Sequence, residues 1–139
     1  MYILLVEKDE LVRDHLKVGL TQFPEFEVTT SVGYRGINEL RSQVFDCVFL
    51  GVDPRDQESI GLLQHMRTFD QTTELVVLAS PRSVRDMVGD KARYDIHSFL
   101  QTPIDPRELF DFVGRFLERH ARDRRGRRGE RGRQTARHR

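Results

Sequence analysis

The chain alternates short apolar runs with stretches in which apolar residues recur every three or four positions. Tyr2 to Val6 is a continuous apolar run, the pattern of a strand covered on both faces. Glu10 to Leu20 follows, with Val12, Leu16 and Leu20 on one helical face, and Phe23-Pro24-Glu25 breaks it. Phe26 to Val32 alternates and is rich in Val and Thr, which suits a less buried strand. Gly36 to Gln43 reads as a short helix, Asp46 to Leu50 as a second buried strand, and Glu58 to Phe69 as a helix through Leu62, Leu63 and Met66. Leu75 to Ala79 is a third apolar strand, Ser83 to Arg93 a weaker helix, and Ile96 to Leu100 a last strand.

The final helix has the clearest start. Asp105 is a good N-cap, Pro106 suits the first helical position and Glu108 completes a capping box. Leu109, Phe112, Val113, Phe116 and Leu117 then line one face. Five strand–helix units in about 118 residues predict a parallel sheet with helices on both faces, joined by right-handed crossovers. Function in such sheets gathers at the carboxyl ends of the strands.

Composition changes this picture at one place. Residues up to Glu118 carry 13 Lys and Arg against 20 Asp and Glu, a net charge near −7. Arg119 to Arg139 carries ten Arg against Asp123 and Glu130, a net charge near +8. Residues 1–119 therefore read as the folded domain. Residues 120–139 read as a basic Arg/Gly-rich tail or linker, structureless alone because it buries too little apolar surface to offset the entropy of ordering. The tail reads first as a solvated segment or linker. Nucleic acid, through phosphate charge, is an alternative that is not favoured, and an acidic protein or a membrane surface is another.

No apolar run nears the roughly 18 residues of a membrane span, so no membrane insertion is expected. The amino terminus enters a core strand directly and has no secretory pattern, which points to a cytoplasmic protein. Cys47, the one cysteine, lies in an apolar run and reads as an inert buried thiol. His15, His65, His97, His120 and His138 show no metal-binding spacing, and Gly33-Tyr34-Arg35-Gly36 lacks a nucleotide-loop pattern, so no cofactor or metal is expected.

Three stretches carry a resemblance. Ile3-Leu4-Leu5-Val6-Glu7-Lys8-Asp9-Glu10, Phe45-Asp46-Cys47-Val48-Phe49-Leu50 and Thr102-Pro103-Ile104-Asp105-Pro106-Arg107-Glu108-Leu109 resemble the first strand and acidic turn, the third strand and the last loop of the receiver domain of two-component response regulators. The likeness covers Tyr2 to about Arg119. It implies a flavodoxin-like, doubly wound (βα)5 fold with a five-stranded parallel sheet in the order 2-1-3-4-5. In the family the lysine–proline bond of the last loop is usually cis.

The resemblance also implies a site. Family members hold a magnesium ion with two acids after the first strand and phosphorylate an aspartate ending the third. A Ser or Thr ending the fourth strand and a Lys ending the fifth bind the phosphoryl oxygens. The chemistry is electrostatic, since a divalent ion and an ammonium offset the charge of the aspartyl phosphate. Position by position, the acid pair falls on Glu7 and Lys8, the phosphoacceptor on Gly51, the hydroxyl on Ala79 and the lysine on Thr102. Only Glu7 matches, with Asp9 as a partial substitute. The resemblance is thus to a degenerate pseudo-receiver, not an enzyme, that acts by protein interaction without phosphorylation.

Lys8 has two readings, a cation filling the vacated pocket beside Glu7 and Asp9, or a solvated lysine at a helix start. Asp53 is the weak alternative phosphoacceptor, but two residues of strand displace it by about 6.6 Å from Gly51, and an Asp before Pro54 suits a turn. Ser80 beside Ala79 reads as a loop-start serine. Phe99 falls on the family's switch-aromatic position, with room beside Ala79 to stay inward. The resemblance then implies a fixed surface on helix 4, strand 5 and helix 5, offered to a protein partner or to a second copy.

Overall fold

The computed structural model describes the backbone of residues 1–137 and the side chains of residues 1–123. Its elements are β1 (Tyr2–Val6), α1 (Glu10–Thr21), β2 (Glu27–Ser31), α2 (Gly33–Ser42), β3 (Cys47–Gly51), α3 (Gln57–Phe69), β4 (Glu74–Ala79), α4 (Pro81–Met87), a 3-10 turn (Val88–Asp90), β5 (Ile96–Gln101) and α5 (Pro106–Arg137). The chain divides into two compact units, Met1–Asp105 and α5 with its last residues.

All strand pairs are parallel, and the sheet order is β2-β1-β3-β4-β5. This is the expected flavodoxin-like α/β arrangement. Continuous apolar runs put β1, β3 and β4 in its centre, where a strand with two buried faces has no polar alternation to keep. Alternate residues serve opposite faces. Leu4, Val6, Val48, Leu50, Leu75 and Val77 join Ile37 of α2, Leu62, Leu63 and Met66 of α3 and Met87 of α4 in one core cluster. Ile3, Leu5, Cys47, Phe49, Val76 and Leu78 alternate with these and are equally buried. On that side α1 lies against β1 and β2 and brings the buried Leu16 and Leu20. β2 lies at the sheet edge and is only half-buried, which is why its sequence alternates.

Two local arrangements tie the first unit together. The guanidinium of Arg67, near the end of α3, donates to the carbonyls of Tyr94, Asp95, Asp70 and Thr73 at 2.7, 2.8, 3.1 and 3.2 Å. It thereby joins the loops that enter β4 and β5. Between α2 and α3, His65 stands edge-on to Tyr34 and Phe69, with ring centroids 5.3 and 5.4 Å away. Its Nε2 lies 2.9 Å from Asn38 Oδ1, and Arg41 covers Phe69 at 4.2 Å. The Tyr34 hydroxyl rests against the bare α-carbon of Gly61, where an added Cβ would lie 2.5 Å from it.

Three elements depart from the sequence pattern by more than one residue. α2 begins at Gly33 rather than Gly36, because Gly33 takes a positive φ of 61° that sets the turn. α4 stops at Met87 and tightens into the 3-10 turn, short of the expected Arg93. The third concerns the tail. The expected boundary after Arg119 falls inside α5, whose backbone stays helical to Arg137. No proline follows Pro106, and arginine is a strong helix former, so the three tail glycines do not end the helix. Among the described side chains of α5, Leu109, Phe112, Val113 and Phe116 are buried. His138 and Arg139 lie outside the described residues. No helix among the described residues is long and apolar enough to cross a membrane.

Candidate functional site

The carboxyl ends of β1, β3, β4 and β5 surround a cavity of about 260 Å³. Glu7, Lys8, Gly51, Ala79 and Thr102, each placed from the sequence at a different strand end, all line it, together with Asp9, Asp53 and Ser80. Parallel strands in register account for the convergence, since Gly51 lies beside Leu78 and Ala79 beside Gln101. The backbone N–H of Thr102 donates to the Ala79 carbonyl at 2.9 Å, and the Thr102–Pro103 bond is cis.

The Glu7 side chain dominates this cavity. It leaves the end of β1 and lies across the α-carbon of Gly51, so that a Cβ on residue 51 would overlap its carboxylate. Oε1 of Glu7 accepts the Asp9 backbone N–H at 2.9 Å. The Glu7 carbonyl is held by the Arg13 guanidinium at 3.0 Å. Burial pushes the Glu7 carboxyl above its ordinary value, against the anion-stabilising Asp9 N–H.

The other charged groups are engaged at the rim. The Lys8 ammonium pairs with Asp56 at 2.6 Å, and its side chain is 71% exposed. It does not fill the vacated pocket beside Glu7, one of the two readings of the sequence. It is the exposed lysine at a helix start of the other reading, and it also bridges the β1–α1 turn to the N-cap of α3. The hydrogen bond to Asp56 raises the Lys8 ammonium and lowers the Asp56 carboxyl. Asp9 caps α1, its Oδ1 accepting from the Leu11 and Val12 N–H groups.

Asp53 accepts the Arg55 backbone N–H at 2.9 Å and pairs with Arg55 Nε at 3.3 Å. Those bonds lower its carboxyl. The geometry is that of an Asx turn. Ser80 caps α4 by accepting the Ser83 N–H at 3.2 Å. Phe99 is half-buried against the core cluster, opposite Val77. Among the described residues, no three His, Cys, Asp or Glu side chains converge as a metal cage.

Sequence reasoning missed three lining groups. Ser59 and Ser83 are buried hydroxyls of α3 and α4 on the cavity wall, and Arg55 stands at its mouth. Ser59 Oγ accepts the Asp53 N–H at 3.3 Å. Helical spacing alone could have singled out the serines, since Ser59 and Ser83 fall on the faces that carry Leu62 and Met87. Chemically the cavity offers hydroxyls, peripheral cations and one inward carboxylate. It offers no carboxylate at residue 51, and the Glu7 anion would repel a phosphoryl group entering there.

No protein-family profile matches the chain, and no curated protein does. Solved structures do. A response regulator receiver domain protein (CheY-like) from Methanospirillum hungatei is 19% identical with a TM-score of 0.70, over 88% of this chain and 97% of that one. A putative response regulator from Chloroflexus aurantiacus is 18% identical with a TM-score of 0.70, over 84% and 97%. The regulatory domain of the repressor of iron transport regulator, RitR, in its inactive form, is 14% identical with a TM-score of 0.69, over 84% and 94%. At these identities the shared property is the fold.

Proposed function

We propose that this chain is a pseudo-receiver, a cytoplasmic module of a two-component-type regulatory system that works by protein interaction without being phosphorylated, and not as an enzyme. One observation carries the reading: the Glu7 carboxylate occupies the space above Gly51 that a phosphoacceptor side chain would need. A receiver switches because a phosphoryl group arrives and leaves; here a fixed internal acid stands in its place. Ala79 and Thr102 add to the case, because neither supplies the hydroxyl or the ammonium of the resembling family at its position. With one state of the site, the surface formed by α4 and β5, including half-buried Phe99, would be permanently set for a protein partner or a second copy.

Asp53 as a relocated acceptor is the competing reading. Asp53 lines the cavity, but its carboxylate is engaged by Arg55, and an acceptor there would have to give up that pair. Incubation of the whole chain with acetyl phosphate and magnesium, followed by intact-mass analysis, separates the two. No added mass is expected. A stoichiometric phosphoryl adduct lost in Asp53→Asn would establish the competing reading.

A further inference from the structure

We propose that the C-terminal stretch of α5 binds the phosphate backbone of duplex DNA without reading its sequence. The inference is independent of the site at the strand ends. Arg119 to Arg139 holds ten Arg, no Lys and two acids. From Arg119 to Arg137 the backbone is helical, which makes a rod about 28 Å long at 1.5 Å per residue. A helix arrives with its backbone already ordered, so less ordering entropy opposes association than for a structureless tail.

Composition selects the polyanion. The stretch has no apolar residue larger than Ala121 and Ala136. It therefore lacks the apolar face that an interfacial membrane helix or a helix–helix seam needs. Phe, Tyr and Trp are absent from it, so bases of single strands have no stacking platform. Guanidinium groups grip phosphates in a bidentate fork, and all ten cations are of that kind. A helix about 10–12 Å across fits the roughly 12 Å major groove of B-form DNA but not the deep, narrow major groove of duplex RNA. Residues 1–118, at a net charge near −7, would be repelled by DNA, which leaves α5 as the point of attachment.

The test is fluorescence anisotropy of two labelled 20-base-pair DNA duplexes of unrelated sequence, titrated with the full chain from 50 to 200 mM salt. With about six phosphate contacts, affinity should fall about a thousandfold over that range, equally for both duplexes. The full-length variant carrying Arg124→Gln, Arg125→Gln, Arg127→Gln and Arg128→Gln should lose four contacts and fall only about tenfold. Its far-UV circular dichroism and urea midpoint should match the parent, since all four lie beyond Phe116, the last buried residue among those described. Absence of binding at 50 mM salt, an unchanged salt dependence in the variant, or tighter binding to vesicles of phosphatidylserine and phosphatidylcholine than to the duplexes would each overturn the proposal.

Discussion

The carboxylate of Glu7 and the α-carbon of Gly51 share a space that admits only one side chain. Gly51 sits in regular strand, so its lack of a Cβ reflects the neighbour and not the backbone. The pair makes a coupled prediction. Gly51→Ala should displace the Glu7 carboxylate and destabilise the fold by about 1–2 kcal/mol, as overpacking does. In a Glu7→Ala background the same change should be nearly neutral. Urea denaturation of the four chains gives the coupling energy, and simple additivity would show that the two side chains do not compete.

Gly51→Asp should not by itself take up a phosphoryl group. The new carboxylate would meet Glu7 as a like charge in a part-buried cavity, with Lys8 held on Asp56 and no ammonium at Thr102. Intact mass after acetyl phosphate and magnesium should show no adduct; efficient labelling would mean that the remaining positions still serve the chemistry.

Protonation of Glu7 has a definite sign. Its folded carboxyl is raised above the ordinary 4.5 by burial, so the folded state holds this proton more tightly than the unfolded chain does. Its contribution to stability is therefore present in acid and is lost as pH rises from about 4.5 through the folded value. Asp53, Asp56 and Asp70 act oppositely, their stabilisation being present above 3.8 and lost as pH falls through their lowered values. Glu7→Gln should make stability rise more steeply with pH than in the parent between pH 4 and 7. Chemical denaturation at four pH values measures this, and parallel curves would mean that Glu7 is not buried as described.

Gly61 should show a reversal of sign. Alanine for glycine inside a helix usually stabilises by about 0.5–1 kcal/mol. At Gly61 the added methyl would press on the Tyr34 hydroxyl, so Gly61→Ala should be neutral or destabilising in the parent. In Tyr34→Phe, where that oxygen is gone, it should recover the usual gain. Thermal melting of the two pairs decides it.

The sequence made the buried strands legible because an apolar run covered on both faces has no other stable reading. It also made the strand-end positions legible, since regular strands carry their register to their ends, and Glu7, Lys8, Gly51, Ala79 and Thr102 do line one cavity. Side-chain direction was not legible. Whether Lys8 turns toward Glu7 or toward Asp56 depends on a rotamer and on a partner 48 residues away, and neither is written in local pattern. The reach of α5 was not legible for a different reason: apolar periodicity is the signal of a helix, and a stretch whose sequence has no apolar residue larger than alanine gives none.

Arg67→Ala should cost about 2–3 kcal/mol by urea denaturation, because it strands carbonyls that a part-buried cation now satisfies. Arg67→Lys should recover little of this, since one ammonium cannot span the planar fork. A loss below 0.5 kcal/mol would mean that water replaces the guanidinium without penalty.

Arg67 also makes the two ends of the sheet unlike in how they open. The loops entering β4 and β5 hang from one cation, so neither can detach without releasing the other. Their amides should exchange with solvent as one cooperative group, late and together. At the opposite end the turns into α1, α3 and α4 are each fastened by their own Asp or Ser cap, and the Lys8–Asp56 pair joins the first two, so those two should open together and the α4 turn by itself. The order in which amides exchange is a direct record of that polarity.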